Sequence, residues 1–178
     1  MALGTIIKPN NNMAINTTQT ADCNKVIIRV TSPDPQATHE ILVTGPNGTY
    51  NYTFPGGPDN TRIVLASQVG GGNGVFIIDH IVDGQVFARK GILFACDVLC
   101  CIAHKINELL DCDCDCNKCS PHFVEAQKIF LLLKTAENEL ATSSEEGTID
   151  QIQAVIDNAK RKYLTAQDMC AGHCGCNC

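Results

Sequence analysis

The chain has 178 residues, of which 44% are hydrophobic, so it is long and apolar enough to bury a core, and a wholly disordered chain is excluded. Tryptophan is absent and aromatic residues make up only 5%, which predicts an aliphatic core. Residues 1–90 carry six basic and six acidic residues, whereas residues 91–178 carry seven and thirteen, which accounts for the net charge of −6. The acidic second half argues against nucleic acid as a partner, because phosphate contacts need lysine and arginine.

The first 22 residues are rich in Asn and Thr and show no apolar period. We expect an extended arm at 1–22 that is either unstructured or ordered against a neighbouring subunit, with Ile6, Ile7 and Ile15 as anchors. The stretch lacks the pattern of a signal peptide, and no apolar run in the chain is long enough to cross a bilayer. We therefore expect no membrane contact and synthesis in a cytosol, where clustered cysteines favour metal over disulfides.

Residues 23–90 predict an antiparallel β-sandwich of the immunoglobulin or fibronectin type III kind. Short apolar or alternating segments recur there at intervals of about 8–12 residues, separated by Gly, Pro and Asn turns. The segments are 24–31, 40–44, 50–54, 62–67, 75–82 and 85–90. Asp83-Gly84 predicts a two-residue hairpin turn between the last two strands. The glycine-rich stretch at 70–74 lacks the Lys-Ser/Thr and the helix of a phosphate cradle, so we interpret it as a plain loop.

Residues 91–178 predict a cysteine-rich three-helix bundle that follows the β-sandwich, which makes the fold class α+β. Apolar residues recur in three stretches at helical spacing. The predicted buried stripes are Ile92, Cys96, Leu99, Ala103, Ile106 and Leu110; Ala126, Ile129, Leu133, Ala136 and Leu140; and Ile149, Ile152, Ile156, Ala159, Tyr163, Ala166 and Cys170. Ser120 and Pro121 predict the start of the second helix. Thr148 and Gln151 predict a capping box at the start of the third. Short loops predict an up-down-up arrangement.

This arrangement brings two cysteine clusters to the same end of the bundle, where they form a predicted C-terminal metal knot. The clusters hold eight of the twelve cysteines: Cys112, Cys114, Cys116, Cys119, Cys170, Cys174, Cys176 and Cys178. Zinc prefers four nitrogen or sulfur ligands, so we expect one or two structural zinc ions, with His122 and His173 as substitute ligands. Disulfides, an iron–sulfur cluster and unpaired thiols are the alternatives.

Other candidate sites in the sequence are weaker. The acidic residues Asp111, Asp113 and Asp115 resemble the start of a calcium loop, but an EF-hand needs Gly and Glu where Cys116 and His122 stand. An EF-hand is therefore rejected.

No catalytic constellation stands out either. Cys101 and His104 are three residues apart on one predicted helix, which indicates proximity only. Asp79-His80 is interpreted as an exposed pair on a strand. Eight thiolates would leave zinc no open position for the water that catalytic zinc needs. We therefore interpret the chain as non-enzymatic.

The region from about residue 70 onward resembles small virion proteins of tailed bacteriophages, including crAss-like and marine ones. The residues that carry the resemblance are GVFII at 74–78, DGQVF at 83–87, FACDVLCCI at 94–102 and AQKIFLLLK at 126–134. The resemblance implies a structural subunit of the neck or tail, repeated around the symmetry axis. Its partners would be other virion proteins and copies of itself, and its location the virion, assembled in the host cytoplasm. The resemblance transfers no catalytic residue.

Two other functions stay open at this point. A cellular binding or adhesion module with a structural zinc site would use the loops of the sandwich as its contact surface. A metal-storage or redox protein would use the thiols themselves.

Overall fold

The computed structural model describes residues 15–20, 23–32, 36–55, 57–110, 116–143 and 147–171. The fold is α+β, as the sequence predicts: the described residues form antiparallel strands followed by three helices. The strands are β1 (Ile15–Gln19), β2 (Lys25–Ser32), β3 (Thr38–Thr44), β4 (Thr49–Pro55), β5 (Gly57–Leu65), β6 (Gly74–Val82) and β7 (Gln85–Phe94). The helices are α1 (Cys96–Leu110), α2 (Cys116–Ser143) and α3 (Ile149–Cys170). A single 3₁₀ turn at Ala66–Val69 follows β5.

The strands form two antiparallel sheets. Sheet A has the order β1-β2-β5, and sheet B has the order β4-β3-β6-β7. Side chains alternate between the two faces of each strand, because successive residues of a strand point in opposite directions. One face of each sheet contributes to a shared hydrophobic cluster, which we call the sheet cluster. It includes Val26 and Ile28 of sheet A and Ile41, Phe76 and Ile78 of sheet B, so these faces of the two sheets pack against each other.

Part of the predicted N-terminal arm is a strand of this chain. β1 pairs with β2 from Ile15 opposite Val30 to Gln19 opposite Val26, and Ile15 is buried in the sheet cluster. Gln19 Nε2 donates to the carbonyl of Leu93 at 3.0 Å, which links β1 to sheet B. Residues 1–14, with the proposed anchors at 6 and 7, lie outside the described residues.

The predicted hairpin turn between β6 and β7 is confirmed. Asp83 and Gly84 both have positive φ, at 48° and 80°, which is the backbone geometry that a two-residue turn between twisted strands requires. The Asp83 carboxylate accepts a hydrogen bond from the backbone N–H of Thr38 at 3.0 Å, which fixes the turn to the start of β3. β7 extends to Phe94, so Ile92, which the sequence assigned to the first helix, belongs to the sheet.

The three helices pack on the face of sheet B that points away from sheet A. A second cluster, which we call the helix cluster, contains residues of all three helices together with Val75 of β6 and Leu93 of β7. Phe76 and Ile78, which alternate with Val75 along β6, belong to the sheet cluster instead. Sheet B is therefore covered on both faces, and β6 and β7 are shared by the two clusters.

The predicted stripes of α2 and α3 are confirmed, and that of α1 is wrong. All five stripe residues of α2 are buried, and so are those of α3 from Ile152 to Cys170. In α1, by contrast, Leu99, Ile106 and Leu110 are 46%, 44% and 76% exposed. The residues of α1 that are buried are Val98, Cys101, Ile102 and Lys105. Apolar residues cover two adjacent stripes of α1, so helical spacing alone does not determine which of them faces inward.

The starts of the last two helices were predicted with different success. The capping box of α3 is confirmed, because Thr148 Oγ1 accepts from the N–H of Gln151 and Gln151 Oε1 accepts from the N–H of Thr148 at 2.8 Å. The start of α2 at Ser120 and Pro121 is wrong, since the helix begins at Cys116 and contains Pro121.

A close contact between β7 and the helices gives a first stability prediction. A Cβ atom added at Gly91 would lie 2.5 Å from Leu140 Cδ2 and 2.9 Å from Ile156 Cγ1. We expect Gly91→Ala to lower the free energy of unfolding by about 1–3 kcal/mol, because the buried neighbours have little room to move. Urea unfolding followed by circular dichroism measures the loss. Adding Leu140→Ala to Gly91→Ala should cost less than the sum of the two single changes, and simple additivity would contradict the clash.

Candidate functional site

The zinc prediction is wrong, because four of the cysteines that the structure describes are held in disulfides. Cys170, a predicted zinc ligand, is bonded to Cys101 of α1, and Cys23 is bonded to Cys96. Among the described residues, no group of three or more His, Cys, Asp or Glu side chains is placed to hold a metal ion. The side chains of the other predicted ligands lie outside the described residues: Cys112, Cys114, Cys116, Cys119, Cys174, Cys176 and Cys178. The predicted substitute ligand His122 instead faces the Glu108 carboxylate at 3.8 Å, and His173 lies outside the described residues.

The two disulfides fix α1 at two points. Cys23 precedes β2 and Cys96 is the first residue of α1, so the first cross-link ties sheet A to the start of the helix. The second ties the middle of α1 to the last residue of α3. They span 73 and 69 residues of sequence, and in each the two Cα atoms are 6.1 Å apart. The face of α1 that bears Cys101 is therefore held toward α3, which explains why the predicted stripe is on the outside.

A groove beside the start of α1 is the candidate binding site. It has a volume of about 390 Å³ and lies between the turn after β3, the start of β6 and the second half of α3. Its lining residues are Thr44, Gly45, Pro46, Asn73, Gly74, Val75, Ile77, Lys160, Tyr163, Leu164 and Gln167. The groove thus joins one end of sheet B to the helix layer.

Hydrogen bonds between α3 and α1 hold the groove in shape. The Tyr163 hydroxyl donates to Asp97 Oδ2 at 2.8 Å, and Gln167 Nε2 donates to the same oxygen at 3.4 Å. Burial raises the pKa of the Tyr163 phenol, and the hydrogen bond to Asp97 raises it further, so the phenol stays a proton donor. Asn73 Oδ1 accepts from the N–H of Cys96 at 2.9 Å, which satisfies a backbone donor in the first turn of α1.

The groove depends on one glycine of the loop that precedes β6. Gly74 has a φ of +136°, and a Cβ atom there would lie 3.0 Å from Pro46 Cγ and 3.7 Å from the Tyr163 ring. A larger residue would have to adopt a strained backbone and would push the two walls apart. The predicted plain loop at 70–74 therefore forms part of the site, through Asn73 and Gly74.

The chemistry of the lining suits binding. It combines apolar surface from Pro46 and Leu164 with hydrogen-bonding groups from Thr44 and Gln167. Lys160 supplies a positive charge and, among the described residues, has no ion-pair partner. No Cys, His, Asp or Glu is among the lining residues, so the lining holds no carboxylate or imidazole for acid–base chemistry. Sequence reasoning missed this site because Tyr163 was assigned to the core stripe and Lys160 has no motif around it.

The two pairs that the sequence singled out have other roles. Cys101 is bonded to Cys170, and His104 faces Glu108 at 3.4 Å on the surface of α1. The interpretation of Asp79-His80 as an exposed pair is wrong, because their side chains are buried on opposite faces of sheet B.

Asp79 belongs to an ion pair that ties the sheet to the helices. Its carboxylate accepts two hydrogen bonds from Arg89, at 2.6 and 2.8 Å, and Arg89 also donates to Gln153 of α3 at 2.8 Å. The hydrogen bond to Asp79 raises the pKa of the Arg89 guanidinium, which therefore keeps its charge in this half-buried position.

Comparisons with protein-family models, with curated proteins and with solved structures find no match for this chain. Among the described residues, no helix combines the length and the apolar character that crossing a membrane requires. The disulfides, the groove and the exposed helix faces are thus the features from which a function follows.

Proposed function

We propose that the chain is a structural subunit of a bacteriophage virion, in the neck or tail. In this proposal sheets A and B form an immunoglobulin-like sandwich, and the helices form a bundle that disulfides rather than zinc lock in place. The observation that carries the proposal is the pair of disulfides, Cys23–Cys96 and Cys101–Cys170. Disulfides persist in secreted proteins and on the surfaces of virions, whereas proteins that stay in a cytosol rarely hold them.

Exposed apolar residues on two helices support assembly with other subunits. Leu99, Ile106 and Leu110 on α1 are all more than two-fifths exposed, and so are Phe123 and Phe130 on α2. Single exposed apolar residues are normal, but several on one helix face are typical of a surface that another protein covers. Copies of the chain and other virion proteins are the proposed partners.

An adhesion or binding module is the alternative that a specific feature favours. The groove presents apolar surface, amide groups and the ammonium of Lys160 to solvent, which would suit a ligand with a carboxylate. In that case the chain would act as a monomer, and the exposed faces of α1 and α2 would have no partner.

The proposal can be tested on purified particles of a phage whose genome encodes this chain. We expect mass spectrometry to find its peptides in banded particles at a fixed ratio to a known tail protein. We expect the oxidised recombinant chain to form a closed oligomer in size-exclusion chromatography with light scattering. Leu110→Ser should weaken that oligomer, whereas Leu164→Ser, the same change at an exposed leucine of the groove, should leave it intact. A chain that is absent from the particles and monomeric at high concentration would contradict the proposal.

A further inference from the structure

Two histidines are packed against each other inside the sheet cluster. His39 of β3 and His80 of β6 are both fully buried, and His39 Nδ1 lies 3.1 Å from His80 Nε2. A hydrogen bond at this distance requires that one of the two nitrogens carries the hydrogen and the other accepts it, so His80 Nε2 and His39 Nδ1 cannot both be protonated. The second nitrogen of His80, Nδ1, is buried with no hydrogen-bond partner.

Aromatic rings surround the pair. Phe54 of β4 stacks on His39 with ring centroids 5.5 Å apart, and Phe87 of β7 meets the edge of His80 at 6.2 Å. The histidine rings are themselves stacked at 5.3 Å. Apart from His39, the ring of His80 meets the apolar rings of Phe54 and Phe87, and burial away from water disfavours its charged form.

Among the described side chains, the charged groups that share this side of sheet B are cations. Arg62 of β5 stacks on Tyr52 at 4.2 Å and donates to the Tyr50 hydroxyl at 2.7 Å. Lys90 of β7 lies on the same face and reaches the carbonyl of Ile15. In the described parts of β1 and β2, the residues that face the sheet cluster are uncharged. Among the described side chains of these strands, no carboxylate lies on the face of sheet B that bears His80.

We propose that the His39–His80 pair is an acid-sensitive latch between β3 and β6, which opens that end of sheet B when it takes up a proton. At neutral pH the N–H···N hydrogen bond and the ring stacking join the two strands. A proton added at His80 Nδ1 creates a buried charge and a new N–H donor that faces no acceptor. The buried charge and the unpaired N–H can be solvated only if the His80 ring becomes exposed to water, and this exposure separates β3 and β6 around the ring. This latch does not depend on the proposed virion role.

The direction of the pH dependence follows from the same contacts. Burial and, to a smaller extent, the neighbouring His39 together lower the pKa of His80 to about 4. An unfolded histidine has a pKa of about 6.5, so between these two values the opened state binds more protons than the closed one. The latch is closed above pH 6.5 and loses stability as the pH falls toward 4. Since each pKa unit is a tenfold change, opening should become about 100-fold more favourable between pH 7 and pH 4.

Hydrogen exchange at single residues tests the latch on the intact, oxidised chain. After correction for the intrinsic exchange rate, amides of β3 and β6 near the pair should lose about 100-fold in protection between pH 7 and pH 4. The amides of α2 and α3 should keep theirs over the same range. The imidazole signal of His80 should show no titration near pH 6.5.

Variants separate the latch from general acid unfolding. His39→Leu/His80→Phe removes both imidazole rings and the hydrogen bond between them, so the loss of protection at pH 4 should disappear. His104→Gln/His122→Gln, the matched change at exposed histidines, should leave it unchanged. An acid transition in the first variant identical to that of the unchanged chain would overturn the proposal. If that variant does not fold, a His80 signal that titrates near pH 6.5 in the unchanged, folded chain would overturn it equally.

Discussion

Removing each disulfide is expected to lower the free energy of unfolding by about 2–4 kcal/mol, and removing both to leave the chain largely unfolded. The cross-links close loops of 73 and 69 residues, and a disulfide that closes a long loop restricts the unfolded chain strongly. Domains of this size have a free energy of unfolding of only about 5–15 kcal/mol, so the loss of both disulfides removes much of that stability. Urea unfolding of Cys23→Ala/Cys96→Ala, Cys101→Ala/Cys170→Ala and the fourfold variant measures these losses.

Single-cysteine variants are the control for this prediction. If Cys101 and Cys170 are bonded, Cys101→Ala already breaks the cross-link, and adding Cys170→Ala costs little more. If the stability losses of Cys101→Ala and Cys170→Ala simply add in the double variant, the two thiols are independent, and the disulfide is contradicted. Peptide mapping of the unreduced chain should recover the fragments that contain Cys101 and Cys170 as one species.

Glu125→Gln is expected to lower the free energy of unfolding by about 3–5 kcal/mol. Lys105 of α1 is fully buried, and its ammonium lies 2.7 Å from Glu125 Oε2 of α2. Taking away the carboxylate charge leaves a buried cation without its compensating partner, which is among the costliest single changes in a protein. Lys105→Met removes the buried charge itself and keeps most of the length of the side chain, so we expect it to be close to neutral or stabilising.

An exposed ion pair on the same helix is the matched control. Lys134 and Glu137 lie 2.6 Å apart, with side chains that are 52% and 49% exposed. Glu137→Gln should cost less than about 1 kcal/mol, because water screens this pair. Thermal or urea unfolding of the three variants measures these changes in the free energy of unfolding. Similar losses of stability for Glu125→Gln and Glu137→Gln would contradict the prediction, because they would show that the Lys105 charge is solvated.

Local patterns in the sequence determined much of the fold. Alternating Tyr50, Tyr52 and Phe54 predicted β4, Asp83-Gly84 predicted the hairpin turn, and Thr148 predicted the start of α3. Each of these signals acts within a few residues, so the neighbours that produce it are visible in the sequence. The stripes of α2 and α3 were equally clear because each helix has one apolar face.

Features that depend on distant partners were not predictable in this way. The disulfides join cysteines that are 73 and 69 residues apart, and nothing near Cys23 or Cys101 indicates which partner it has. The dense spacing of the other cysteines therefore drew the metal interpretation. Lys105 was assigned to no face of α1, since its burial depends on Glu125 of the next helix. The partners of His80 and Asp79 likewise come from neighbouring strands.

The positions of the two cross-links have a mechanical consequence. When the chain is pulled from its ends, tension passes from Cys23 through the first disulfide to Cys96, along α1 to Cys101, and through the second disulfide to Cys170. The long segments inside the two loops carry no load. The only backbone under tension between Cys23 and Cys170 is the stretch from Cys96 to Cys101, which measures about 17 Å at most when fully extended. Under oxidising conditions the part of the chain from Cys23 to Cys170 is thus a nearly inextensible link, and a reductant turns it into a long elastic tether.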